Sequence, residues 1–253
     1  MNKQSGPSRG SFDGIANKFD ENIYGTTKGQ LRHQLLVSSL SSYITSSPLK
    51  VLDVGGGTGM MSAEFAKHGH DVTIVDISQE ALAIAKRRMK NFPNIKYLHC
   101  DIGNLSGQYD FIVCHAVLEW LNEPLNALLF MRTLLKKQGV MSLSFFNHDA
   151  KLFNNLLYGN FDYVDKGLPS KNTVRLNPHN AQSPAKVLDF IHNSKIYDVL
   201  NSSGIRCFHD YMIDKTKIET QYNHLVEMEL KYGALEPYKW LGKYFHILLA
   251  ARK

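Results

Sequence analysis

Cysteine is scarce in this chain. The three that occur, Cys100, Cys114 and Cys207, are an odd number without paired or metal-ligand spacing, which argues against a disulfide framework and for a reducing compartment. No metal site is suggested, because His68, His70 and His99 fall into no ligand pattern either. A charged-then-apolar leader is missing at the start, and no run reaches the roughly 18 apolar residues of a spanning helix. Neither export nor membrane spanning is expected, and cytoplasm is the expected location. Internal repeats and low-complexity tracts are missing too. A length of 253 residues then leaves one large domain, with or without a small appendage, rather than a solenoid. Net charge is modest. Lys and Arg number 29 against 23 Asp and Glu, giving +6, a surplus that suits an anionic partner but is common among ordinary enzymes.

What is present points to a folded α/β chain. Hydrophobic residues make up 43% and charged residues 21%, enough to bury a sizeable core. Residues 1–11 are small, polar and basic and are expected to form a mobile tail, with one folded domain over 12–253. The spacing of Ile15, Phe19, Leu31, Leu35, Leu36 and Leu40 predicts N-terminal helices that cap a sheet. Short runs rich in β-branched and large apolar residues at 50–54, 71–76, 95–100, 111–114 and 140–146 predict buried parallel strands. Helical stretches at 62–67, 79–90 and 126–136 fit between them. That alternation is the mark of a doubly wound, mostly parallel, Rossmann-like sheet. Beyond it the rhythm breaks. Residues 148–184 form a polar, Asn-rich insertion after strand 5, carrying Phe153, Tyr158, Phe161 and Tyr163. A helix is then predicted over 185–200, strands over 205–212 and 244–251, and a helix over 220–232 between those strands.

The sharpest local signal is Val51-Leu52-Asp53-Val54-Gly55-Gly56-Gly57-Thr58-Gly59. A buried strand runs straight into glycines and then a helix, so the backbone can turn tightly and approach a ligand without Cβ interference. The second strand ends at Asp76, where doubly wound folds place an acid that accepts hydrogen bonds from ribose hydroxyls. Asp53 stands two residues before Gly55. A carboxylate there repels a pyrophosphate and helps hold a cationic amino-acid group, so an adenosyl, cationic ligand fits better than a dinucleotide. Structural roles remain open at this point: Asp53 as a turn residue, Asp76 as support for a helix capped by Ser78, Asp101 as part of an Asp-Ile-Gly-Asn turn, His115 as a satisfied core histidine.

This strand and loop resemble the first motif of the class I S-adenosylmethionine-dependent methyltransferases. Asp101 after the third strand, and Cys114-His115-Ala116-Val117-Leu118-Glu119-Trp120 after the fourth, match later motifs in order. The resemblance implies a seventh strand inserted antiparallel beside the fifth and sixth, for which 245–249 is the candidate. Residues 19–32, 115–120, 159–164 and 208–211, above all Asn-Ile-Tyr-Gly-Thr-Thr-Lys-Gly and Gly-Asn-Phe-Asp-Tyr-Val, are similar to the tRNA 5-carboxymethoxyuridine methyltransferase family, from about Phe12 to Arg252. Membership implies methyl-ester formation on a modified wobble uridine, with S-adenosylmethionine as cofactor and a tRNA anticodon loop as partner. It further implies cofactor roles for Arg32, Asp53, Gly55, Gly56, Gly57, Asp76, Ile77, Asp101, Ile102 and His115. Where the family pattern has a dense basic cluster after Asp-Tyr-Val, this chain has only Lys166, Lys171 and Arg175.

The implied chemistry, displacement at a sulfonium methyl by a carboxylate, needs no general base, since a carboxylate near pKa 4 is ionised at neutral pH. Neutral donors suit the acceptor better than full charge neutralisation, and Tyr24, Tyr163, His209 and Tyr211 are the positioning candidates. A flipped base needs a planar surface and its phosphates need cations. The insertion's aromatics, with Lys151, Lys166, Lys171 and Arg175, offer both, and Lys28 is a further RNA candidate. Two rival functions stand beside this one: a methyltransferase acting on a small metabolite, and a tRNA-binding module that keeps the pocket without turnover.

Overall fold

A computed structural model describes residues 13, 14, 16, 20, 25–169 and 180–252. The expected tail and the candidates Tyr24, Lys171 and Arg175 lie outside those residues.

After helix α1 (Thr27–Ser39) and the short α2 (Ser41–Ile44), the chain alternates β1 (Lys50–Val54), α3 (Met60–Lys67), β2 (Asp71–Asp76), α4 (Gln79–Arg88), β3 (Ile95–His99), β4 (Tyr109–His115), α5 (Pro124–Leu134) and β5 (Leu135–Phe146). Then come α6 (His148–Leu157), α7 (Phe161–Asp165), α8 (Pro184–Ser194), β6 (Tyr197–Ile205), α9 (Thr216–Thr220), α10 (Tyr222–Tyr232) and β7 (Tyr244–Ala251). The strands form one sheet in the order β3-β2-β1-β4-β5-β7-β6. β1 to β5 run parallel, and β7 pairs antiparallel with both β5 and β6. The order reverses between β1 and β4, and in such sheets the crevice beyond the carboxyl ends at that point receives ligands.

The apolar runs are strands because both faces are covered. Val51, Phe111 and Val113 pack with α1, α3 and α4 on one side, while Leu52, Val54, Ile112 and Cys114 pack with α5 and α8 on the other. Alternate residues of one strand thus feed two cores, which is why the sequence reads as continuous hydrophobic runs.

The last third departs from expectation in one stretch. The helix ends at Ser194, where Lys195 takes a left-handed conformation, φ 54°, and Tyr197–Ile205 forms the edge strand β6 instead of more helix. Its mid-strand residues are exposed, so it lacks the alternation that marks a strand in sequence. Residues beyond Ile205 do not extend it. The Cys207, Phe208 and His209 amides all donate to the buried Glu229 carboxylate of α10, at 2.6, 2.9 and 3.0 Å, and that carboxylate takes the place of a neighbouring strand. The helix expected at 220–232 and the strand expected at 244–251 are present as α10 and β7.

Asn147 anchors the insertion to the sheet. Its Oδ1 caps α6 through the Asp149 and Ala150 amides, at 2.9 and 3.3 Å. Its Nδ2 donates to the carbonyls of Trp240 and Gly242, both at 2.9 Å. The insertion therefore leaves the sheet at the same edge that carries the crevice.

Candidate functional site

Two cavities meet at Gly55. The larger, about 560 Å³, lies between the ends of β1, β2, β3 and β4 and the start of α5, and is lined by Asp76, Ile77, Asp101, Ile102, Val117, Trp120 and Phe130 among others. The smaller, about 50 Å³, is closed by α1 and lined by Gly29, Arg32, His33, Asp53, Gly56 and His115.

Glycine is required at the junction. Gly55 has φ +63°, and a Cβ there would lie 2.5 Å from Val117 Cγ2. A Cβ on Gly56 would lie 2.6 Å from Ile74 Cγ1 and 2.9 Å from Asp53 Oδ2. Only a bare backbone threads between these side chains and leaves both cavities open. The turn is then held by Asp76, whose Oδ2 accepts from the Gly57 amide at 2.9 Å and whose Oδ1 accepts from the Ser78 amide at 2.8 Å. Asp76 both shapes the glycine turn and lines the large cavity, so the helix-capping arrangement is compatible with a ligand role. Burial raises its pKa, and the two amides work against that shift.

Asp101 likewise does two jobs. It caps a 3-10 turn, Ile102–Asn104, by accepting from the Gly103 amide at 3.0 Å, and it lines the large cavity with Ile77 and Ile102.

The small cavity is electrostatically loaded. Asp53 is 3% exposed and accepts from the Ser62 hydroxyl at 2.6 Å. Burial pushes its pKa up to about 7, with Asp76 adding to the rise and Ser62 opposing it. No cation among the described residues acts on it, and a ligand ammonium would supply one. Across the cavity, the Arg32 guanidinium lies 4.6 Å from the centre of the Tyr244 ring, and a guanidinium is the side chain whose planar fork matches a carboxylate. His115 ends β4. Burial holds its pKa well below the usual imidazole value, with His246, Arg32 and His33 adding to the shift, so it is neutral.

These residues fit an adenosyl amino acid: an apolar slot with two acids for adenine and ribose, and an acid and a guanidinium for the zwitterionic end. All ten cofactor positions expected from sequence, except Gly57, line one or other cavity, and Gly57 contributes through Asp76. Sequence reasoning missed Val117, Leu121, Asn126 and Phe130, which complete the large cavity. They follow β4 directly, so its carboxyl-edge position was the available signal. Trp120, which closes the motif after the fourth strand, also lines it. Glu119, part of the motif after the fourth strand, does not line either cavity. It is 1% exposed, and burial pushes its pKa up to about 7, offset in part by its own and the Phe146 amides and by Arg32.

The acceptor-side candidates are more scattered. Tyr211 and His209 share a 3-10 turn. The Tyr211 hydroxyl donates to the Leu241 carbonyl at 2.9 Å, and its ring packs edge-on against Phe153 at 5.4 Å. His209 is buried, with Nδ1 3.4 Å from Asp210 Oδ2. On the insertion, the Tyr163 hydroxyl donates to the Pro169 carbonyl at 2.9 Å, and Lys166 is exposed just past α7. Lys28 lies in the first turn of α1. A cation not foreseen from sequence, Lys243, lies 5.1 Å over the Phe146 ring. Burial lowers its pKa, Asp210 opposes that, and Arg206, Lys151 and Lys28 lower it further. Lys243, just before β7, therefore feels the positive charge of cations on α1 and α6. Exposed Leu157, Tyr158 and Phe161 form an apolar tip on the α6–α7 hairpin.

Among the described residues no group of His, Cys, Asp and Glu is arranged to hold a metal ion, and no helix is long and apolar enough to cross a membrane.

Residues 29–167 match a family described as a methyltransferase domain. The chain is 38% identical to the tRNA 5-carboxymethoxyuridine methyltransferase of Escherichia coli K12, over 96% of both chains. Similarity to the malonyl-[acyl-carrier protein] O-methyltransferase of Halalkalibacterium halodurans is 33% identity over 41% of each chain. Among solved structures, the magnesium protoporphyrin IX methyltransferase of Synechocystis PCC 6803 shares the fold with a TM-score of 0.63 at 18% identity, covering 97% of both chains.

Proposed function

The chain belongs to the tRNA 5-carboxymethoxyuridine methyltransferase family, and from that premise we propose that it transfers a methyl group from S-adenosylmethionine to the carboxylate of 5-carboxymethoxyuridine in tRNA, giving the methyl ester. The observation that carries this reading is the pair of cavities joined at Gly55, one shaped for adenosine and the other charged for an amino acid.

Bound S-adenosylmethionine supplies an electrophilic methyl on a cationic sulfur. The protein's part is to bind, orient and exclude water. Asp76 and Asp101 receive the ribose and adenine side, Arg32 the methionyl carboxylate, and Asp53 its ammonium. The acceptor carboxylate is ionised without help, its oxygen lone pair forms the new bond, and the sulfur keeps the electrons of the broken one. Alignment contributes about 7 to 11 kcal/mol in such displacements, so a site without a positioned base is adequate.

The acceptor enters over the start of β7. There Lys243, Lys151, Lys28 and Arg206 create the positive potential that draws an anionic nucleotide. Tyr211 and Tyr163, whose hydroxyl hydrogens serve main-chain carbonyls, hold the wall of that entrance, and His209 sits behind it. The exposed rings of Tyr158 and Phe161 offer planar surfaces for unstacked bases of an anticodon loop, with Lys166 beside them for phosphate. Residues 148–184 thereby act as a substrate-side element of a single catalytic domain.

A metabolite methyltransferase would share the cofactor-binding core, and the similarity to the acyl-carrier-protein enzyme covers only 41% of the chain. Incubating the protein with labelled S-adenosylmethionine and tRNA either bearing or lacking the carboxymethoxy group separates the readings. Label and a methyl ester by mass spectrometry are expected only in the carboxymethoxy tRNA. No label in that tRNA overturns the acceptor assignment, and tight tRNA binding without label would favour a non-catalytic module.

A further inference from the structure

Behind the small cavity runs a line of buried polar atoms that cofactor contact alone does not explain. His115 Nε2 lies 2.7 Å from Ser142 Oγ. On the other side of that hydroxyl, His246 Nε2 lies 2.8 Å away. His246 Nδ1 in turn lies 3.5 Å from Ser39 Oγ at the end of α1. The line crosses three adjacent strands, β4, β5 and β7, beneath α1, and its two imidazole rings meet edge to face at 6.0 Å. Ser142 is fully buried and His246 is 2% exposed.

Hydrogen counting restricts how such a line is wired. A serine hydroxyl has one hydrogen, and a neutral imidazole has one N–H and one acceptor nitrogen. Burial lowers the pKa of both histidines, that of His246 to about 4, so both are neutral. A continuous line through Ser142 then runs in one of two directions, and the tautomer of His246 dictates that of His115. The ligand selects between them. Arg32, His33 and His115 line the same small cavity, so the His115 ring lies on the Arg32 side, which under the proposed function receives a carboxylate. A carboxylate accepts only, so His115 Nδ1, which has no protein partner among the described residues, must carry the hydrogen.

We propose, resting on the function proposed above, that Ser39, His246, Ser142 and His115 form a one-way hydrogen-bond relay that fixes His115 as an N–H donor to the methionyl carboxylate. Ser39 donates to His246 Nδ1, His246 Nε2–H to Ser142 Oγ, Ser142 O–H to His115 Nε2, and His115 Nδ1–H to the ligand. Successive donors polarise one another in a buried chain. Ser142 and His246 are positioning residues: neither touches the cofactor, yet both set which hydrogen the cofactor meets. The neighbouring Ser144 is a built-in control, since it is equally buried on the next residue of the same strand face and its Oγ has no partner among the described residues.

The test compares S-adenosylhomocysteine with 5′-methylthioadenosine, which lacks the amino-acid group, by calorimetry on the purified protein. Ser142→Ala is expected to weaken S-adenosylhomocysteine roughly tenfold, the scale of one charge-assisted hydrogen bond, while leaving 5′-methylthioadenosine within about twofold. Ser142→Thr, which keeps the hydroxyl, restores the ratio, and Ser144→Ala leaves both affinities alone. A purely structural role for Ser142 would weaken both ligands alike. That outcome, or an unchanged ratio, overturns the relay while the functional reading stands. Failure of the wild-type protein to bind S-adenosylhomocysteine overturns both. Should Ser142→Ala not fold, Ser142→Cys keeps the volume with a weaker donor and carries the same comparison.

Discussion

The two cavities that meet at Gly55 handle one ligand by opposite means. The large one, about 560 Å³, is mostly apolar, and its acids already have backbone partners, so it grips by shape and a few shared hydrogen bonds. The small one, about 50 Å³, has room for little beyond the polar end of the ligand, and in it burial pushes the Asp53 pKa up to about 7. Under the proposed function, the difference assigns adenosine to a preformed apolar surface and the ligand ammonium to a buried carboxyl that it would ionise.

Gly56→Val should break both halves at once, because the added carbons collide with Ile74 and Asp53. Binding of S-adenosylhomocysteine and of 5′-methylthioadenosine is expected to fall about 100-fold or more, as read by calorimetry. Arg32→Ala should break only the small cavity. A roughly 30- to 100-fold loss is expected for S-adenosylhomocysteine, the scale of a truncated buried charge pair, with 5′-methylthioadenosine unchanged. Equal losses would mean that Arg32 supports α1 rather than the ligand.

A pH series sharpens the contrast. With its pKa raised from 3.8 to about 7, Asp53 binds a proton in the ligand-free fold that the unfolded chain has released. Its contribution makes stability fall as pH rises from about 4 to about 7. A ligand ammonium reverses the preference, so binding below pH 7 should release a proton, and affinity should drop about tenfold between pH 8 and pH 6. 5′-Methylthioadenosine should show no such slope, and Asp53→Asn should flatten the slope for S-adenosylhomocysteine. Persistence of the slope in that variant would assign it to Glu119, the other buried carboxyl near pKa 7. The smallest effect is expected outside both cavities. Lys166→Glu should weaken tRNA binding a few-fold and reduce its salt dependence by about one unit of slope, with cofactor affinity untouched.

Much of the large cavity was legible from sequence because its residues come from consecutive strand ends. Gly55, Asp76 and Asp101 follow β1, β2 and β3 at the carboxyl edge, and a parallel sheet brings successive ends together by construction. The small cavity was legible only in part. Arg32 entered through family resemblance, since nothing in the spacing of α1 separates it from a solvated helix arginine. Lys243 and Ser142 were invisible, because each is defined by neighbours from distant strands. The strand expected over 205–212 failed for a similar reason: the amides of 207–209 are claimed by Glu229, twenty or more residues away, and local propensity carries no trace of that carboxylate.

The sequence by itself determined the doubly wound sheet, the glycine turn and the order in which acids reach its edge, because these follow from local periodicity and from the steric freedom of glycine. Tertiary structure alone decided how those groups are tuned. Burial raises Asp53 toward neutrality, β7 inserted against β5 aligns His246 and Ser142 behind His115, and cations from separate elements act on Lys243. Desolvation and hydrogen-bond direction depend on what surrounds an atom in three dimensions, and no window of neighbouring residues contains that information.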